Sequence, residues 1–316
     1  MKLFSGTSNL ELSNNIAKHL NCDIVKMDIG TFKDGEIKFN IKENINNEDC
    51  FIIQTTSRSL FVDENNKKKV KSVNDNLMEL FVMIDAIKRA NAKSINLIIP
   101  YFGYQRQDRK DNTMTPISSC VVARILETLN VNKVIIYELH ASQITGFFSN
   151  NCPVFNLHVT DYFQNYIIDN IKDNYVFVAP DAGAIKMNYN LAKNLNTEVF
   201  SIFKNRSKNG LIDDMILVGD IKDKNVIMVD DMIDTGGTIC RAAKLLRENE
   251  CKKIYIFVTH GLFSGDAIKN IESSEIDYVV TTNTIPNEKE LFINSKIKMI
   301  DISKSCANFI NNMISN

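Results

Sequence analysis

The sequence predicts an α/β protein made of two doubly wound parallel-sheet domains. Three observations carry that expectation. Short β-branched runs alternate with amphipathic segments almost from end to end. A chain of 316 residues, 44% of them hydrophobic, is long enough for two cores rather than one. Strand-like runs such as Val226-Ile227-Met228-Val229 are apolar without alternation, as strands covered on both faces are.

The elements follow in order. The capping-box pattern Ser8-x-x-Glu11 predicts a first helix running to Leu20. Strand runs come next at 22–27, 37–41 and 50–54. A helix over 76–90 then places Leu77, Leu80, Phe81 and Ile84 on one face. The intervening segment 57–72 reads as a polar, loop-like insertion. Strands at 95–99 and 133–137 flank a helix over 116–129 that Pro116 opens. A second set begins after Pro153: a helix from 160, a strand at 175–179, a helix at 184–195 and strands at 198–203 and 226–229. It closes with a helix over 238–249, strands at 253–258 and 277–281, and a last helix from 303. The expected domains are 1–152 and 153–316.

Composition removes several function classes. The formal net charge is −1, and the run Lys67-Lys68-Lys69 sits beside Glu64-Asn65-Asn66 as a solvated loop would, so no nucleic-acid partner is predicted. No apolar stretch approaches membrane-spanning length, and Met1-Lys2-Leu3-Phe4-Ser5-Gly6 lacks the apolar core of a secretory signal. Seven scattered cysteines, never spaced C-x-x-C, argue against a disulfide framework or a zinc site. The reading is a cytoplasmic protein with neither a nucleic-acid nor a membrane partner.

One motif outweighs the rest. The run 226–229 ends in Asp230-Asp231 and continues Met232-Ile233-Asp234-Thr235-Gly236-Gly237-Thr238 into a helix. In open parallel sheets ligands bind beyond the carboxyl ends of strands, where these acids would sit. Two glycines let the backbone turn its N–H groups onto an anion, and the helix start adds unpaired donors and a positive dipole end. Thr235 and Thr238 can donate hydroxyls to the same anion, and Asp230 and Asp231 can accept from ribose hydroxyls directly or through a metal. An ordinary acidic turn would not need acid pair, glycine pair and threonine pair together.

This block is similar to the ribose-phosphate loop of type I phosphoribosyltransferases and phosphoribosyl pyrophosphate synthetases. Five further segments resemble the synthetases alone. These are Phe32-Lys33-Asp34-Gly35-Glu36, the segment from Pro100 to Lys110 with Arg106-Gln107-Asp108, and Leu139-His140-Ala141-Ser142-Gln143. Ala179-Pro180-Asp181-Ala182-Gly183 and Lys204-x-Arg206 complete the set. The chain therefore resembles the ribose-phosphate diphosphokinase family over nearly its whole length.

The resemblance implies two phosphoribosyltransferase-like domains, the first on the ATP side and the second binding ribose 5-phosphate. It implies transfer of a diphosphoryl group from Mg-ATP to the C1 hydroxyl of ribose 5-phosphate. Phe32 offers a ring for stacking, Glu36 and Gln107 can bond the purine edge, and Arg106 supplies a planar fork for phosphate. Asp34, Gly35 and Asp111 belong to the same expected ATP site. His140 and Asp181 are the implied Mg²⁺ ligands, the latter a carboxylate at a strand end. Lys204 and Arg206 suit charge building on the transferring group, Arg206 also meeting ribose 5-phosphate together with Asp230, Asp231, Asp234, Thr235, Gly236, Gly237 and Thr238. Self-association is implied, with the adenine site shared between subunits. No Walker-type glycine loop is present, so a P-loop kinase is not predicted.

Glu138 stands for a usual aspartate, Ala184 for a glycine, Met187 for an arginine, and Ser149-Asn150-Asn151 for a segment that carries aspartates. A phosphoribosyltransferase would leave the first half unexplained. The other alternative is a non-catalytic regulatory homologue, against which the intact Lys204, Arg206, His140, Asp181 and Asp230 speak.

Overall fold

The computed structural model describes residues 1–62, 68–110, 112–172, 174–206, 212–288, 292–293 and 295–315. It divides into two units: Met1–His158 with Thr284–Pro286 and Asp301–Asn316, and Val159–Asn283 with Asn287–Ile300.

In chain order the first unit comprises β1 (Lys2–Ser5), α1 (Leu10–Leu20), β2 (Met27–Thr31), β3 (Ile37–Ile41), β4 (Asp49–Ile53), β5 (Ser59–Val62) and β6 (Lys68–Lys71). It continues through α2 (Val73–Arg89), β7 (Ser94–Ile99), α3 (Ser118–Thr128), β8 (Lys133–Tyr137), a 3-10 turn (Ser142–Phe147) and β9 (Val154–Leu157). Strands β1-β4-β7-β8-β9 form a parallel sheet in that order. Successive strand residues point to opposite faces. Phe4, Ile52, Leu97, Ile99, Val134 and Ile136 pack with Leu80, Met83, Ile84 and Ile87 of α2 and with Val122 and Leu126 of α3. Leu3, Phe51, Ile53, Ile98, Ile135 and Tyr137 are buried on the other face. There the Tyr137 hydroxyl meets Ser305 Oγ at 2.9 Å, and Phe155 meets Phe309 edge-on at 5.3 Å. These contacts tie the C-terminal helix (Ser303–Ser315) to the first unit, whereas the sequence reading had grouped it with the second half.

Several sequence expectations change in detail. Asn9, not Ser8, caps α1: its Oδ1 accepts the Leu12 N–H at 3.3 Å, while the Ser8 hydroxyl donates to Gln54 at 2.7 Å. The strand placed at 22–27 begins only at Met27 and pairs antiparallel with β3 as a separate ribbon. Helix α3 begins at Ser118, beyond Pro116. The insertion at 57–72 contains an antiparallel hairpin, β5–β6, instead of a plain loop. Lys71 at its end buries its ammonium against the Glu79 carboxylate. That carboxylate also accepts the Thr7 N–H at 2.7 Å and Gln54 Nε2 at 3.0 Å.

The second unit comprises α4 (Thr160–Asn170), β10 (Tyr175–Ala179), α5 (Ile185–Asn194), β11 (Val199–Arg206), β12 (Ile212–Val218), β13 (Asn225–Ile233) and α6 (Gly237–Glu248). It closes with β14 (Ile254–Gly261), α7 (Ala267–Glu272), β15 (Tyr278–Thr282) and β16 (Ile297–Ile300). Its sheet runs β12-β11-β10-β13-β14-β15-β16, parallel except for the edge pair β11–β12. Val176, Val178, Val226, Met228, Ile254 and Ile256 pack with Ile239, Ala242 and Leu246 of α6 and Ile271 of α7. On the other face Phe163 of α4 meets Phe257 at 5.3 Å. Helices thus cover both faces, which is why these strands read as continuous apolar runs.

Candidate active site

Strands β10, β11 and β13 are parallel, so their carboxyl ends share one edge of the second unit. Asp181, the Lys204 backbone and Asp230 all stand at that edge. The ladder to β14 continues through Asp230↔Val258 and Met232↔His260 to Ile233↔Gly261. Asp230 and Asp231 are therefore inside the last turn of the pleat, and the strand does not end at Val229 as the sequence reading had it. After Ile233 the chain turns through Asp234 and Thr235, and α6 starts at Gly237.

Gly236 has φ +76, a left-handed conformation that favours glycine, and no side chain caps the helix start. A Cβ at Gly237 would meet nothing nearer than Thr235 Oγ1 at 3.9 Å, so packing within the chain does not demand a glycine there. Thr235 and Thr238 are exposed at the same helix start. The arrangement is an open anion cradle of N–H groups and hydroxyls at a positive dipole end.

The acids beside it are electrostatically loaded. Burial, then the charges of Asp231 and Asp181, push the Asp230 carboxyl well above the usual carboxylate range. Asp230 Oδ1 accepts the Asp231 N–H at 2.9 Å. Asp181 Oδ1 accepts the Gly183 and Ala184 N–H groups at 3.0 and 3.2 Å, closing the loop between β10 and α5. Among the described residues no three His, Cys, Asp or Glu side chains converge as a metal cage. A Mg²⁺ at these acids would take part of its shell from carboxylate and the remainder from phosphate oxygens and water, as that cation usually does. The donor set fits.

Lys204 and Arg206 close β11, with Lys204 opposite Met215 and a register irregularity between Asn205 and Arg206. Their side chains lie outside the described residues, as does the whole of Asp111.

In the first unit, Phe32, Asp34, Gly35 and Glu36 form the tip of the β2–β3 hairpin. The Phe32 N–H donates to the Glu36 carbonyl at 2.8 Å and Asp34 Oδ1 accepts the Glu36 N–H at 3.1 Å. Gly35 has φ +101, which glycine tolerates best. Phe32 is 53% exposed, an aromatic ring presented to solvent. Arg106 and Gln107 are exposed on the segment after β7, and His140 is exposed after the neighbouring strand β8. The two segments are tied together: the His140 N–H donates to Gln105 Oε1 at 3.0 Å, and Gln143 Nε2 donates to Asp108.

Residues 1–129 match the N-terminal domain of ribose phosphate pyrophosphokinase, and residues 174–316 match the phosphoribosyl synthetase-associated domain. The chain belongs to the ribose phosphate pyrophosphokinase family. It is 41% identical over 310 residues to ribose-phosphate pyrophosphokinase A of Dictyostelium discoideum, covering 98% of this chain and 93% of that one. Ribose-phosphate pyrophosphokinase 2 of Schizosaccharomyces pombe is 42% identical over 306 residues, covering 96% and 91%. The crystal structure of phosphoribosylpyrophosphate synthetase from Mycobacterium smegmatis superposes with a TM-score of 0.89 at 32% identity, covering 100% of this chain and 99% of that one.

Three side chains in this pyrophosphokinase fold were given no role of their own in the sequence reading, although Gln105 and Asp108 lie in the Pro100–Lys110 segment. Gln105 and Asp108 link the segment after β7 to the Leu139–Gln143 segment. Asn188, a buried amide in α5, bonds the strand that carries Asp230. Polar residues within a functional segment or on a helix read as solvent-facing, so pattern gave no signal for them.

Proposed function

We propose that this chain transfers the β,γ-diphosphoryl group of Mg-ATP to the C1 hydroxyl of ribose 5-phosphate, giving 5-phosphoribosyl 1-diphosphate and AMP. The observation that carries the reading is the open start of α6 at Gly236–Thr238 beside Asp230 and Asp231. A sugar phosphate fits it: phosphate on the N–H groups and hydroxyls, ribose hydroxyls toward the carboxylates. The C1 oxygen forms a bond to the β-phosphorus and gives up its proton to solvent, while the bond from that phosphorus to the oxygen bridging to the α-phosphorus breaks, releasing AMP. Such a step relies on positioning and charge stabilisation more than on covalent chemistry.

In this reading Phe32, Asp34, Gly35, Glu36, Arg106, Gln107 and Asp111 bind ATP, and His140 and Asp181 hold Mg²⁺. Held by those residues, Mg²⁺ would supply neutralisation of diphosphate charge. Lys204 and Arg206 meet the charge on the transferring group, and Arg206, Asp230, Asp231, Asp234, Thr235, Gly236, Gly237 and Thr238 bind ribose 5-phosphate. The first unit is the ATP side and the second unit the ribose-phosphate side, in place of a division at residue 152. Self-association, with a neighbouring subunit completing the adenine site, belongs to the same reading. All seven cysteines carry free thiols and, among the described residues, no helix is long and apolar enough to cross a membrane. The free thiols suit a reducing compartment, and the reading places the protein in the cytoplasm. Phosphorus NMR of a mixture with Mg-ATP and ribose 5-phosphate tests the reaction. The expected products are 5-phosphoribosyl 1-diphosphate and AMP; ADP with a ribose bisphosphate would reject attack at the β-phosphorus.

A further inference from the structure

Strand β13 is paired on both sides at its start and on one side only at its end. Toward β14 the ladder runs unbroken from Val226↔Ile254 past Asp230↔Val258. Toward β10 it stops at Phe177↔Ile227, and β10 itself ends at Ala179. The backbone of Val229, immediately before Asp230, is satisfied by a helix side chain instead. The Val229 N–H donates to Asn188 Oδ1 at 3.0 Å, and Asn188 Nδ2 donates to the Val229 carbonyl at 2.7 Å. The same nitrogen donates to the Ala184 carbonyl at 2.8 Å. Asn188 is fully buried, so each of these bonds is made away from water.

A carboxamide has the donor and acceptor of a peptide group, and here it stands in for the missing strand. It lets β10 and β13 part at their carboxyl ends without leaving backbone groups unpaired, and a crevice between strand ends is where parallel sheets bind ligands. Its third bond reaches the residue that follows the Asp181 loop, whose N–H already donates to Asp181. One side chain therefore ties the Asp181 loop to the Asp230 loop.

We infer that Asn188 is a positioning residue for the ribose 5-phosphate site, fixing the spacing of the two acidic loops without touching substrate. The inference rests on the placement of ribose 5-phosphate at Asp230–Thr238. Its test is steady-state kinetics of Asn188→Ser and Asn188→Asp. Asp230→Ala serves as a check on the site, and Asn96→Ser as a control for lost stability. Asn96 is likewise buried and bonds the Cys50 carbonyl, but in the first unit. The expected result is a rise of about tenfold or more in KM for ribose 5-phosphate for both Asn188 variants, with a smaller rise in KM for ATP, since Asp181 is assigned to Mg²⁺. Asn96→Ser should lower the melting temperature and leave both KM values unchanged. Asn188→Asp keeps the acceptor for the Val229 N–H but turns an oxygen toward two carbonyls, so it should be no better than Asn188→Ser. Variants of Asn188 with wild-type constants, or an equal effect from Asn96→Ser, would overturn the inference while Asp230→Ala still raises KM. If Asp230→Ala leaves KM for ribose 5-phosphate unchanged, the site assignment falls and the role of Asn188 with it.

Discussion

Asp230 Oδ1, near the end of β13, accepts the Asp231 N–H at 2.9 Å, and burial first, then the charges of Asp231 and Asp181, resist ionisation of that carboxyl. The Asp230 pKa is thereby raised, and that fixes a sign. A carboxyl whose folded pKa lies above its unfolded value contributes stability at low pH and loses it as pH rises through the raised value. Asp230→Asn should therefore stabilise the metal-free protein at pH 8, on a scale of roughly 2–4 °C in melting temperature per kcal/mol. The gain should shrink toward the ordinary aspartate pKa of about 3.9. Thermal unfolding across that range with a chelator present measures it; a variant less stable than wild type at pH 8 would contradict the electrostatics.

Ribose 5-phosphate and ATP should respond to different substitutions. Asp230→Ala and Thr238→Val act at the end of β13 and the start of α6, so they should weaken the sugar phosphate and leave ATP affinity nearly unchanged. Calorimetric titration of each ligand into each variant decides the matter. Should Thr238→Val weaken ATP and spare ribose 5-phosphate, the two sites are reversed.

Lys204→Ala should lower kcat far more than it raises KM for either substrate, because the cation is assigned to the transition state. Removing one such contact costs roughly 10²–10³ in rate in comparable cases. Retention of more than about half the wild-type kcat would remove Lys204 from that role.

Lys71→Met should destabilise the first unit by about 3–5 kcal/mol, since it strands the buried Glu79 carboxylate without its cation. Pairing it with Glu79→Gln should recover much of the loss. Denaturant unfolding of both single variants and the double variant gives the coupling; additive losses would show that the two charges act independently.

What the sequence made legible follows from burial. Runs such as Val134-Ile135-Ile136 and Val226-Ile227-Met228-Val229 are covered on both faces, so hydrophobicity alone marks them. The glycine–threonine turn after Asp231 was equally plain, because backbone approach at a helix start restricts residue choice. The β5–β6 hairpin was not legible: Lys68-Lys69-Val70-Lys71 has no apolar run, and Lys71 is buried only because Glu79 waits on α2. Asp230 was placed beyond the strand because acids read as a turn, whereas the ladder to β14 carries them inside it. The C-terminal helix was assigned to the wrong half for a similar reason. Its partners Tyr137 and Phe155 are far away in sequence, and amphipathicity does not name the surface a helix will cover.

The most direct measurement is the initial rate of AMP release with Mg²⁺ present, run with ATP and ribose 5-phosphate together and with each omitted. Diphosphoryl transfer to the C1 hydroxyl predicts AMP only when both are present, formed in equal amount with 5-phosphoribosyl 1-diphosphate. AMP release that ignores ribose 5-phosphate, or none when both are supplied, would contradict it.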